Sequence, residues 1–187
     1  MKYKQDLIKI LNSNPKFMMY LETAHRLGLK NYCVGAGSIR DTVWSYLHNI
    51  NTVKYKDIDL AYFNKQEDRI KEEEYEQQLN KLGLNVEWDV KNQALVHEWY
   101  EQKFGIKVKP YTSIEDAIST WPEPATSVAV YLNPNNQMQV IAPLGLDDLF
   151  NITLRRNKKR ISQKIFEERL KSKDMVKKWP NLTVIRS

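Results

Sequence analysis

The sequence predicts an α/β (α+β) fold, a mixed sheet flanked by helices, and three observations carry that prediction. Short segments such as 56–63 (KDIDLAYF) and 85–91 (NVEWDVK) alternate apolar and polar residues with the two-residue period of a strand. Between them lie stretches without Pro whose apolar or charged residues follow helical spacing. Turns rich in small residues, above all Gly35-Ala36-Gly37-Ser38, separate one period from the other.

In chain order, residues 4–12 and 15–27 read as helices. The second opens at Asn14-Pro15, places Phe17, Met18, Leu21 and Ala24 on one face and stops at Gly28. A short strand, 31–34, runs into the Gly35–Ser38 turn, and 39–47 has helical spacing. In the strand 56–63, Ile58, Leu60 and Tyr62 share one face, and Asp57, Asp59 and Ala61 share the other. Residues 65–82 are highly charged and end before Gly83, which predicts an exposed helix. In the strand 85–91, Val86, Trp88 and Val90 face the core, with Glu87 and Asp89 opposite. Helices follow at 93–103 and from Ser113 to about Trp121-Pro122. Strands 126–132 and 138–143 flank the turn Asn133-Pro134-Asn135-Asn136, and 144–150 is a connector. A strand at 151–156, a helix at 162–173 and a strand at 182–185 complete the chain.

At 187 residues the chain is expected to form one domain, with core motifs in 32–100 and a β/α extension in 110–187. No apolar run approaches the roughly 18 residues of a membrane span, and no signal-like segment follows the N-terminal lysines. The expectations are a cytoplasmic location and no membrane partner. Cys33, the only cysteine, excludes an internal disulfide and a thiolate zinc cluster, and reads as a small core residue. The net charge of +6 is uneven: residues 151–187 hold twelve Lys/Arg against three Asp/Glu, or +9, leaving −3 for the rest. That distribution suits nucleotide phosphates or nucleic acid, and suits a solvated lysine-rich surface equally well.

Asp is disfavoured in strands, so Asp57 and Asp59 at i and i+2 among apolar residues require a reason. Carboxylates on one strand face stand roughly 7 Å apart at Cα, within reach of one hard dication. Magnesium, which keeps several waters and takes one or two carboxylates plus substrate phosphates, suits them, as does manganese. The turn at Gly37 and Ser38 opens a helix whose free N–H groups and dipole could cradle a phosphate, with Arg40 adding a charge-assisted contact. Glu87 and Asp89 offer a third carboxylate from a strand expected beside the aspartate strand. His97 could reach the site but reads better as structural, and Asp147 and Asp148 read as the start of a helix. The five tryptophans are mostly core by pattern, an exposed one being able to stack a base. The run 155–160 (RRNKKR) could track a nucleic-acid backbone.

Ala36-Gly37-Ser38-Ile39-Arg40-Asp41 followed by Lys56-Asp57-Ile58-Asp59-Leu60-Ala61 resembles the DNA polymerase β-type nucleotidyltransferase superfamily, particularly the head domain of CCA-adding enzymes and bacterial poly(A) polymerases. A longer resemblance, from about residue 33 to 184, is to small bacterial nucleotidyltransferase-like proteins. Its blocks are Trp88-Asp89-Val90-Lys91-Asn92-Gln93-Ala94 with His97 and Trp99, Ala117-Ile118 through Trp121-Pro122, Ala142 to Phe150, and Trp179-Pro180. The chain departs from the pattern at Ala36, where the family has glycine, and at Leu95, where arginine is usual.

The resemblance implies a polymerase β-type fold and in-line attack by an acceptor hydroxyl on the α-phosphate of an NTP, with pyrophosphate leaving. Asp57, Asp59 and Asp89 would hold Mg2+ or Mn2+, Asp89 being preferred to Glu87 by its place in the family block. Gly37, Ser38, Arg40, Lys91 and Asn92 would bind the nucleotide. Complete CCA-adding enzymes carry further helical domains, so the chain is expected to be only head-like. The alternative function is a non-catalytic nucleotide- or RNA-binding module on the same fold. The sequence leaves the acceptor, the base and the oligomeric state open.

Overall fold

The computed structural model describes residues 1–186. Helix α1 (Lys4–Asn12) and helix α2 (Pro15–Arg26), the latter capped by the Asn14 side chain accepting the Phe17 N–H, precede strand β1 (Tyr32–Gly35). Helix α3 (Gly37–Leu47), strand β2 (Asp57–Tyr62), helix α4 (Arg69–Asn80) and strand β3 (Glu87–Asn92) follow. Then come helices α5 (Val96–Phe104) and α6 (Ile114–Ile118), the hairpin of β4 (Ala129–Leu132) and β5 (Met138–Ile141), and the short helix α7 (Asp147–Phe150). Strand β6 (Thr153–Arg155), helices α8 (Gln163–Ser172) and α9 (Met175–Lys178), and strand β7 (Thr183–Ile185) end the described chain.

Five strands form one mixed sheet in the order β3-β2-β1-β4-β5. β2 and β3 are parallel and the other pairs antiparallel; β6 and β7 form a separate parallel pair. Register fixes which residues share a face. Tyr32 pairs with Tyr62, Val34 with Leu60 and with Val130, Ile58 with Trp88 and Leu60 with Val90. All these side chains are buried, and they pack with Leu7, Phe17, Leu21, Ile39 and Trp44 from α1 to α3 in the main core.

The opposite face is divided. Cys33, Ala61, Ala129 and Ile141 lie under Ile114 and Ile118 of α6 in a smaller apolar cluster. Beyond them the row continues as Gly35, Asp59 and Asp89, paired in register and not covered by α6. Cys33 is fully buried, as expected of a core residue, and burial pushes its thiol well above the ordinary range.

Several boundaries differ from expectation. The helix expected from 93 begins as a 3-10 turn, Gln93–Leu95, and the connector 144–150 holds α7. Two further differences have clear local reasons. Helix α4 starts at Arg69, not 65, because Asp68 caps it by accepting the Ile70 N–H, while the Asn64 side chain accepts from Gln66 in a preceding turn. Nor is α4 wholly exposed. Glu72, Glu76 and Asn80, one turn apart, accept the N–H groups of Asn92, Val90 and Trp88 at 2.9, 3.1 and 3.0 Å. Four helical residues rise about 6 Å and two strand residues about 6.6 Å, so the helix matches the free rim of β3. Strand β4 starts at Ala129, not 126, because Pro124–Thr126 forms a 3-10 turn. Helix α9, four residues after Asp174, has no counterpart in the sequence pattern.

Candidate active site

The site begins with a close approach. A Cβ at Gly35 would meet the Val128 carbonyl oxygen at 2.6 Å and Ala129 Cβ at 2.8 Å, so only glycine lets β1 lie this near β4. Ala36 then adopts φ 57° and ψ −122°, a conformation that favours glycine, and its N–H donates to the Val128 carbonyl. The resulting corner starts α3 at Gly37 with no side-chain cap, and the Gly37 N–H is directed at the Asp59 carboxylate. The buried Ser38 hydroxyl donates to the Gly35 carbonyl at 2.8 Å and holds the corner. Around Gly37 a Cβ would meet only Arg40 Nη2, at 3.8 Å.

This corner borders a cleft of about 560 Å³ whose floor is the uncovered part of the sheet. Asp57, Asp59 and Asp89 all line it; Glu87 does not. Asp59 and Asp89 are direct neighbours on parallel strands, and Asp57 stands two residues earlier on the same face. Asp59 is half-buried, while Asp57 and Asp89 are exposed. Burial, then the charges of Asp57 and Asp89, raise the Asp59 carboxyl from 3.8 to about 6 against the opposing pull of Lys173 and the Gly37 N–H.

Lys91 also borders the cleft. Its ammonium is 2.6 Å from Asp89 Oδ1, 3.4 Å from Glu76 Oε2 and 2.9 Å from the Val90 carbonyl. Burial alone would lower its pKa, but Asp89, Glu76 and Glu72 together raise it. Among the described residues no three carboxylates, histidines or cysteines converge as a ready metal cage. Asp57 and Asp59 fit a hard dication by donor chemistry and by the crowding that raises Asp59, with Asp89 available once Lys91 releases it.

Arg40 lines the cleft but is only 5% exposed. Its Nε and Nη2 donate to Asp41 Oδ1 at 2.8 and 2.6 Å, and its guanidinium lies 5.6 Å from the Trp44 ring. Asp41 also accepts from Lys178 at 2.6 Å. Asn92 is not brought to the cleft. It lies fully buried on the core side of β3, where its amide accepts the N–H groups of Asn64 and Ala94 and donates to the Asn64 carbonyl. The parity of the strand, with Asp89 and Lys91 on one face and Val90 and Asn92 on the other, accounts for this.

The sequence pattern missed a wall of the cleft. Arg169 and Ser172 of α8, Lys173 beside it, and Met175 and Lys178 of α9 all line it, as does Trp121-Pro122 from the other end of the chain's middle segment. The basic excess of 151–187 was the available signal, but the packing of Phe166 and Leu170 into the core decides which cations face the cleft. The run 155–160 is largely engaged within the protein. Arg155 pairs with Asp148 at 2.7 Å, Arg156 donates to Gln163 and to the Ile161 carbonyl, and Arg160 contacts the Tyr111 hydroxyl and the Tyr100 and Tyr111 rings. His97 does not line the cleft, and Asp147 begins α7 and pairs with Lys2. No helix among the described residues is long and apolar enough to cross a membrane.

Comparison with known proteins agrees with this geometry. A family model described as nucleotidyltransferase matches residues 22–184. A solved NMR structure described as revealing a CCA-adding enzyme head domain superposes with a TM-score of 0.83 at 28% identity, covering 100% of this chain and 98% of that one. Curated proteins give no match. The mixed sheet flanked by helices is therefore that of a polymerase β-type fold, and the chain belongs to the nucleotidyltransferase family.

Proposed function

We propose that the protein transfers a nucleoside monophosphate from an NTP to a hydroxyl acceptor in a metal-dependent reaction. One observation carries this: Asp57, Asp59 and Asp89 lie side by side on the floor of a cleft whose border is the uncapped start of α3. Family membership and the likeness to a CCA-adding enzyme head domain support the same reaction class.

Asp57 and Asp59 would hold the dication, which supplies charge neutralisation of the phosphates and acidification of the attacking hydroxyl when bound. Asp89, joined to Lys91 by a short ion pair, is the third carboxylate facing that position. The N–H groups at Gly37 and Ser38, at the uncapped start of α3, would receive phosphate oxygens, and a fixed donor set of this kind would stabilise charge as it develops in transfer. Arg40, held by Asp41 and Trp44, contributes a fixed positive charge at the cleft border. The acceptor hydroxyl would attack the α-phosphorus and pyrophosphate would leave.

Incorporation of label from α-labelled NTPs into RNA, protein and small hydroxylated acceptors, with Mg2+ or Mn2+, tests the proposal against Asp59→Asn. Wild-type labelling is expected to exceed that of the variant on the order of 100-fold. Equal labelling by the two proteins removes the metal mechanism. NTP binding without labelling of any acceptor favours a binding module on the same fold.

A further inference from the structure

The basic C-terminal segment, expected from its charge to meet nucleic acid, puts its cations into the cleft by way of α8. Arg169 and Lys173, one helical turn apart, both line the cleft, and the packing of Phe166 and Leu170 against the core holds the helix there. Arg169 is fixed by Glu123, to which its Nε and Nη2 donate at 2.7 and 3.2 Å. Arg40, buried on the α3 side, is fixed by Asp41, and Lys178 is fixed by the same carboxylate. Each of these three cations is paired with a carboxylate, two of them with the same one.

Lys173 has no such partner. Among the described residues its ammonium makes no ion pair or hydrogen bond, and the charges of Arg169, Arg40 and Asp57 act on it across the cleft it lines. Although Lys173 as a residue is exposed, crowding by protein around its ammonium, then the charges of Arg169 and Arg40, lower its pKa, while Glu123 and Asp57 oppose that shift. An uncompensated ammonium in a crowded cationic wall is a place where an anion gains more than it would beside a paired cation. The wall lines the same cleft as the carboxylates that the transfer reaction would use.

We propose that Lys173, backed by Arg169 and Arg40, holds the outer phosphates of a triphosphate, so that α8 recognises the leaving diphosphate of the substrate rather than a nucleic-acid backbone. This rests on the nucleotidyl-transfer reading and assigns it a residue outside the aspartate and glycine motifs. It also gives the chain a reason to prefer triphosphates over monophosphates without any contact to the base.

Calorimetric titration of the full chain with inorganic triphosphate and with inorganic monophosphate, each with Mg2+, tests it. Lys173→Ala is expected to weaken triphosphate binding about tenfold and monophosphate binding less than twofold, while Lys173→Arg retains most of the triphosphate affinity. Lys173 is exposed and caps the end of α8, so thermal melts of both variants should match the wild type. Triphosphate binding that is equal in wild type and Lys173→Ala overturns this assignment and leaves the transfer reaction standing. A wild type that binds neither inorganic triphosphate nor any NTP overturns both.

Discussion

Asp59 shows how a single side chain ties stability to chemistry. Its carboxyl is raised from 3.8 to about 6 by burial and by its acidic neighbours, so the folded state binds a proton that the unfolded chain releases. The stabilising contribution is complete below 3.8 and is lost as pH rises through about 6. At neutral pH the ionised group therefore weighs against folding, by at most about 3 kcal/mol and by about 1–2 kcal/mol for a half-buried group. Asp59→Asn should accordingly be more stable than the wild type at pH 7.5 by about 1–2 kcal/mol in urea denaturation, with the difference closing near pH 4. Added Mg2+ should raise the midpoint of the wild type and leave the variant unmoved. A variant less stable than the wild type at pH 7.5 would contradict the charge crowding described here. Of the residues expected at the site from sequence, Asp57, Asp59, Asp89, Gly37, Ser38, Arg40 and Lys91 all border the cleft. Asn92 does not, because proximity along a strand misleads where alternation sends neighbours to opposite faces.

At the scale of elements, the fit of α4 to β3 is the clearest case of structure beyond the pattern. The charged composition of 65–82 reads as a solvated helix, and three of its side chains instead take the backbone donors of an edge strand. Glu72 is the most buried of these, and burial raises its carboxyl above the ordinary range although the Asn92 N–H opposes the shift. Its stabilising contribution is thus fullest in acid and declines as pH rises, so removing the charge while keeping the acceptor should help at neutral pH. Glu72→Gln is expected to match or exceed wild-type stability at pH 7, whereas Glu72→Leu, which strands the buried Asn92 N–H, should lose about 1–3 kcal/mol. Equilibrium denaturation of the pair checks the opposite signs. Strand parity made the sheet faces legible in advance. Pairing across the rim was not, since it depends on two periodicities coming into step in three dimensions.

For the whole molecule, the strands and longer helices were legible because each carries its own period or cap. The cleft wall was not, because it joins segments distant along the chain: Lys178 reaches Asp41, 137 residues away, and Arg169 reaches Glu123, 46 away. The expectation of one domain can be tested on the same segments. Phe166, Leu170, Met175 and Trp179 are nearly inaccessible in the main core, where the Trp179 ring meets Trp44 edge-on at 5.6 Å. A chain ending at Phe150 should lose cooperative unfolding, followed by tryptophan fluorescence in urea. A sharp transition at the wild-type midpoint would instead mean two independent units. The helix fastened along β3 has one more effect. With those donors taken, a strand from a neighbouring copy finds no ladder to continue on that side, and filament-like growth of the sheet is left only the outer rim of β5, four residues long.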